Sequence, residues 1–290
     1  MLVTLTEVTV SYTDKKILDN VSFSINDNDK IGIVGINGTG KSTLLKTILG
    51  EVDIQSGEIF RKSGIKIAYL PQQPKFDENA SIIDTALKES KVDNEYEIKA
   101  MLSKLGIDNL DSKISTLSGG EKRRLALAIT LVKQCDLLIL DEPTNHLDIW
   151  MINWLEKYLT KWSKALLLVT HDRYFLERIT NKTLDIELGN VYLYDVNYSN
   201  YLNLKVERAE YQQANYRKLK AVLKKEAAWA ALNPQARSTK STERLKRYYE
   251  LEDKTNKLKN NINEINKEMA LSSLTTRLGR KTIEINNLSK

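Results

Sequence analysis

The segment Gly35-Ile36-Asn37-Gly38-Thr39-Gly40-Lys41-Ser42 constrains this chain more than any other. It fills every fixed position of G-x-x-x-x-G-K-[ST], a loop whose backbone N–H groups converge on phosphate oxygens. Such a loop works between a strand and a helix, and both flanks comply. Lys30–Val34 carries the apolar run of a buried strand, and residues 42–49 read as a helix stopped by Gly50. The helix N-terminus adds its own attraction for anions. Gly35, Asn37, Gly38, Thr39, Gly40, Lys41, Ser42 and Thr43 are therefore candidate contacts to a nucleoside triphosphate. The Lys41 ammonium suits the β- and γ-phosphates, and the Ser42 hydroxyl suits Mg²⁺.

Three further segments carry chemistry. Leu137-Leu138-Ile139-Leu140-Asp141-Glu142 runs apolar without alternation and ends in two carboxylates. That is the pattern of a parallel strand covered on both faces, with its acids at the edge where ligands of open α/β sheets collect. Asp141 is placed to hold Mg²⁺, and Glu142 to orient or deprotonate an attacking water. Leu117-Ser118-Gly119-Gly120-Glu121 precedes a helical run over 122–132 and exposes N–H groups at a second helix start, with Ser118 as a plausible cap. Leu166-Leu167-Leu168-Val169-Thr170-His171 is another buried strand, ending in a histidine.

Together these segments resemble the nucleotide-binding domain of the ATP-binding cassette (ABC) family over residues 1–190. The resemblance implies an α/β fold, a P-loop ABC-type nucleotide-binding domain that binds ATP with Mg²⁺. It makes Ser118, Gly119 and Gly120 part of the signature motif, which reaches ATP held by an opposite cassette. It makes Asn145-His146-Leu147-Asp148 the D-loop, His171 the histidine that contacts the γ-phosphate, and Gln72 the glutamine near Mg²⁺, with Gln73 as an alternative. Tyr12 sits where the family stacks an aromatic on adenine.

Composition changes beyond residue 190: glycine nearly disappears and Lys, Arg, Glu, Gln and Ala dominate. Helical segments over 201–231 and 242–271 flank a proline-containing stretch and read as an antiparallel α-helical hairpin. Cations gather near its turn, among them Arg217, Lys218, Lys220, Lys224, Lys225, Arg237, Lys240, Arg244, Lys246 and Arg247, with Tyr216, Trp229, Tyr248 and Tyr249 between them. With a chain charge of +6, this suits a phosphate backbone. The competing reading is a solvated helix surface with i,i+4 ion pairs.

Residues 282–290 echo the opening strand of the chain, Ile283, Ile285 and Leu288 matching Val3, Leu5 and Val8. The expected organisation is a cassette over 1–190, a helical linker over 191–281 and the first strand of a second cassette over 282–290. Tandem cassettes joined by a basic hairpin resemble the ABC-F family, Uup-type members in particular. That resemblance implies a cytoplasmic ATPase that converts ATP and water to ADP and phosphate, with two cassettes needed for full activity. The second cassette belongs to the same chain or to a head-to-tail homodimer. Ribosome and tRNA are the implied partners. DNA is an alternative target, and the ATP-binding subunit of an ABC transporter an alternative function. Many ABC-F proteins insert a helical arm before the signature motif; residues 82–105 offer only an ordinary helical stretch. The single Cys135 excludes an internal disulfide, and the chain has no run of about 18 apolar residues.

Overall fold

A computed structural model describes residues 1–12, 15–92, 94–231 and 242–275. Two compact units divide at Leu202 and Asn203. In the first, β1 (Val3–Tyr12), β2 (Lys15–Ile25) and β4 (Ser56–Arg61) form an antiparallel sheet in the order β2-β1-β4. A six-stranded sheet has the order β5-β6-β7-β3-β8-β9, from β3 (Lys30–Val34), β5 (Ile67–Leu70), β6 (Leu137–Asp141), β7 (Ala165–Val169), β8 (Lys182–Glu187) and β9 (Asn190–Tyr194). All its neighbours are parallel except β9, which turns back along β8. The sheet thus runs past residue 190, where the sequence suggested a boundary, because β9 pairs from Asn190 to Tyr194.

The unalternated apolar runs are explained by two hydrophobic cores, one on each face of this sheet. Leu138, Leu140, Leu166 and Leu168 face the core shared with α2 (Ile82–Ser90), α3 (Glu95–Lys104), α4 (Gly119–Val132), α5 (Ile149–Thr160) and α6 (Arg173–Ile179). Leu137, Ile139 and Leu167 face the other core, with Leu44, Leu45 and Ile48 of α1 (Lys41–Leu49) and with Val3, Leu5 and Val10 of β1. Every residue from Leu137 to Leu140 is fully buried, and burial of each such side chain contributes about 1.5–3 kcal/mol. These strands are therefore fixed in depth and register, and their C-terminal ends become a rigid platform.

The stretch before the signature segment forms two short helices, α2 and α3, capped by the Ser81 and Asn94 side chains. No longer arm is present between them among the described residues. Each follows from its own local signal: Ser81 accepts from the Asp84 N–H, and Asn94 from the Tyr96 N–H.

In the second unit α7 (Tyr198–Ala231) continues from the first, and α8 (Thr242–Thr275) returns beside it. Their direction is antiparallel: Arg244, near the start of α8, pairs with Glu226 at 2.8 Å and lies 4.1 Å from the Trp229 ring centroid, both near the end of α7. Residues 232–241 and 276–290, including Arg237, Lys240 and the proposed second-cassette strand, lie outside the described residues.

Candidate nucleotide site

The loop after β3 bends into α1 because its glycines adopt backbone that other residues avoid. Gly38 and Gly40 have φ of 85° and 106°. A Cβ on Gly40 would stand 2.7 Å from the Ile17 Cγ2. Lys41 is the first residue of α1. Its Nζ donates to the Gly35 carbonyl at 2.7 Å, the Ile36 carbonyl at 3.1 Å and Asn37 Oδ1 at 3.4 Å. The ammonium is thus folded back onto the loop. Burial pushes its pKa down, and the carboxylates of Glu142 and Asp141 act in the opposite sense.

β6 delivers the two acids. Asp141, its last residue, is buried, and its pKa is raised by burial first and by Glu142 second, against the lowering effects of Arg123 and Lys41. Glu142 follows in left-handed backbone, φ 53°. Its N–H donates to the Val169 carbonyl at 2.8 Å, continuing the ladder between β6 and β7. Its Oε1 lies 3.3 Å from His171 Nε2, and its Oε2 accepts from the His171 N–H at 3.4 Å. His171 is two-thirds exposed and stands just past the end of β7.

These groups surround one cavity of about 400 Å³. Asn37, Gly38, Gly40, Lys41, Ser42, Thr43, Gln72, Asp141, Glu142 and His171 all line it, as do Ile17, Asn145 and Val169. Among the glutamine alternatives, Gln72 lines it and Gln73 does not. Gly35 and Thr39 shape the loop without lining the cavity: Thr39 Oγ1 donates to the Ile36 carbonyl at 2.8 Å, and the Gly35 carbonyl holds Lys41. Tyr12 ends β1, half exposed and outside the lining.

Ser118, Gly119 and Gly120 also stand outside it. The two glycines form the first turn of α4 rather than a loop before it. Ser118 caps that helix: its Oγ accepts from the Glu121 N–H, while Glu121 Oε2 accepts from the Ser118 N–H at 2.9 Å. The Gly119 and Gly120 N–H groups have no protein acceptor among the described residues, and open space lies beside Gly119. A Cβ on Gly120 would come within 3.4 Å of His146.

Ser42, Gln72 and Asp141 bring hard oxygen donors with a single carboxylate to one cavity. No cluster of three or more His, Cys, Asp or Glu suited to a metal occurs among the described residues. This donor set fits Mg²⁺, which takes one or two carboxylates and completes its shell with water and phosphate oxygens, better than it fits a cation that needs an all-protein cage.

Sequence reasoning overlooked Arg123. It is buried, and its guanidinium donates to the carbonyls of Gln72, Asp141 and Glu142. The available signal was a second cation after Lys122, inside a helix otherwise turning its apolar face to the core.

The ABC transporter family model matches residues 18–145, and a second model of that description matches residues 184–267. An ABC transporter ATP-binding protein, YfmR, of Bacillus subtilis (strain 168) is 36% identical over 319 residues, covering 96% of this chain and 50% of its own length. The energy-dependent translational throttle protein EttA of Haemophilus influenzae is 33% identical, covering 95% of this chain and 56% of its own length. The ATP-binding protein Uup of Buchnera aphidicola is 35% identical, covering 85% and 43%. The chain belongs to the ABC-F family of ATP-binding proteins. It spans about half the length of these relatives. A solved ATP-binding subunit of an ABC transporter shares the fold, with a TM-score of 0.61 at 23% identity over 67% of this chain and 90% of that one. No helix among the described residues is long and apolar enough to cross a membrane.

Proposed function

We propose that this ABC-F chain is the first half of a cytoplasmic tandem-cassette ATPase that acts on the ribosome and tRNA through its basic hairpin. The observation that carries the ATPase reading is the convergence of Lys41, Asp141, Glu142 and His171 on one cavity. In this reading Lys41 releases the Gly35 and Ile36 carbonyls and turns to the β- and γ-phosphates of ATP. Ser42, Gln72 and Asp141 hold Mg²⁺, which when bound offsets phosphate charge. Glu142 orients the attacking water and accepts its proton as the bond to the γ-phosphorus forms and the β–γ bridge breaks, giving ADP and phosphate. His171, held against Glu142, contacts the γ-phosphate.

The signature turn supports a two-cassette site. Its Gly119 and Gly120 N–H groups are unoccupied by protein and stand outside their own chain's cavity, so they suit ATP held by an opposite cassette. That partner is a second cassette of the same chain or a head-to-tail copy.

The ribosomal reading is supported by the hairpin and by a relative named for translation. Arg217, Lys218, Lys220, Lys224, Lys225 and Lys246 are exposed. Of these, Arg217, Lys218, Lys224, Lys225 and Lys246 have no carboxylate partner among the described residues, unlike Arg244 and Arg247, which pair with Glu226 and Glu243. The ion-paired surface reading therefore holds for part of the hairpin only. The test is sedimentation of the full-length protein, carrying Glu142→Gln and its second-cassette equivalent, with ribosomes and ATP across a salt series. ATP-dependent co-sedimentation that weakens with salt is expected. No binding to intact ribosomes moves the target to DNA, and co-purification with a membrane-embedded chain moves the function to a transporter subunit.

A further inference from the structure

We propose that Arg123 is a positioning residue for hydrolysis, tying the Gln72 segment to the backbone that aims Glu142. Three parts of the chain meet at this one side chain. One Nη donates to the Gln72 carbonyl, and the other donates at 2.7 Å to both the Asp141 and the Glu142 carbonyls. The stem comes from α4, whose first turn is the signature segment. A planar guanidinium can span acceptors on separate segments in fixed directions, whereas a lysine presents a compact point charge.

Glu142 needs such a hold. A non-glycine residue at φ 53° lies in left-handed backbone that crowds its Cβ against the following carbonyl and persists only where its surroundings impose it. Three hydrogen bonds impose it here. The Glu142 N–H is fixed on the Val169 carbonyl, and the Glu142 carbonyl accepts from the Arg123 guanidinium at 2.7 Å and from the Asn145 N–H at 3.3 Å. Together they set the direction in which the side chain leaves the backbone, and that direction brings the carboxylate to His171.

Arg123 is only 6% exposed, and a buried cation requires nearby negative charge as well as acceptors. Burial pushes the Arg123 pKa down, and the carboxylates of Asp141 and Glu142 act in the opposite sense and favour the charged guanidinium. The interaction is mutual: the same cation favours ionised Asp141. Arg123 therefore senses the position of Gln72 on one side and sets the Glu142 backbone on the other, without touching nucleotide itself. Arg123 does not line the cavity.

This role rests on the reading of Glu142 as the water-positioning group, so the test separates the two. Full-length protein would carry Arg123→Lys, Glu142→Gln or both, in steady-state ATPase and fluorescent-nucleotide binding assays. Arg123→Lys should lower kcat by roughly 10²-fold, the loss expected for a small misplacement of a catalytic group. Nucleotide Kd should stay within about threefold, and in the Glu142→Gln background Arg123→Lys should lower kcat by no more than about twofold, because the two residues act as one unit. Losses that multiply, or a nucleotide affinity that falls in step with kcat, would overturn the role. If Arg123→Lys does not fold, Arg123→Gln, which keeps a donor on the buried stem, is judged by the same two readouts. Full turnover in Glu142→Gln defeats the assignment of Glu142 itself. Loss in Glu142→Gln beside full turnover in Arg123→Lys defeats only the role of Arg123.

Discussion

Glu142→Gln removes one negative charge and one proton acceptor while preserving side-chain volume. Its consequences can be followed group by group. The amide still offers an oxygen to the His171 N–H, now at 3.4 Å from Oε2, and the left-handed backbone remains held by the Val169 carbonyl and Arg123. Glu142 is the second cause raising the pKa of Asp141, after burial, so its neutralisation makes Asp141 a readier anion and leaves the proposed Mg²⁺ donors in place. The phosphate loop keeps its geometry, and ATP binding should change little. On the role proposed for Glu142, what disappears is the group that aligns water and takes its proton. That function is worth about 10²–10⁴-fold in rate, or roughly 2.7–5.4 kcal/mol of barrier. Single-turnover phosphate release and equilibrium nucleotide binding, measured on the same preparation, provide the check. A fall in turnover with an unchanged nucleotide Kd is expected. Wild-type turnover, or a loss of ATP binding that accounts for the whole effect, would refute the reasoning.

Gly40→Ala should destabilise the loop by about 1–2 kcal/mol from left-handed strain alone. The added Cβ also meets Ile17 at 2.7 Å, so nucleotide titration should show weaker binding; unchanged affinity would contradict this. Asp141→Asn should raise the melting temperature of the nucleotide-free protein at pH 7. The folded pKa of Asp141 lies above its ordinary 3.8, so the native state binds the extra proton and stability falls as pH rises through the window above 3.8. The gain should fade toward pH 3.8, and a lower melting temperature at neutral pH would count against it. Cys135 is buried and its thiol is pushed up to about 11, chiefly by burial. It should resist disulfide reagents at pH 8 in the native protein and react once the chain is unfolded; rapid native reaction would show that this edge of the sheet opens.

Local signals explain why so much of the cassette was readable. The phosphate loop needs glycine at left-handed positions, a strand before it and a helix after it, all within one short segment, and Lys30–Val34 and Lys41–Leu49 form where they were expected. The apolar runs of β6 and β7 announced strands buried on both faces. The signature glycines were harder: a Gly-Gly pair has low helix propensity, yet the Ser118–Glu121 capping box draws both into α4.

The residues of the phosphate loop, the acids after β6 and the histidine after β7 were set by the chain's own order, because each sits at the end of a segment whose hydrophobic pattern specifies a strand. Tertiary structure decided which of them meet. The order β5-β6-β7-β3 puts strands distant in sequence side by side, so Gln72, Asp141 and His171 reach the loop at Lys41. It also decided the left-handed backbone of Glu142 and the burial of Arg123. Neither is specified by the local sequence: the cation following Lys122 does not by itself say that Arg123 will be buried. Each depends on hydrogen bonds between segments that only packing brings within reach.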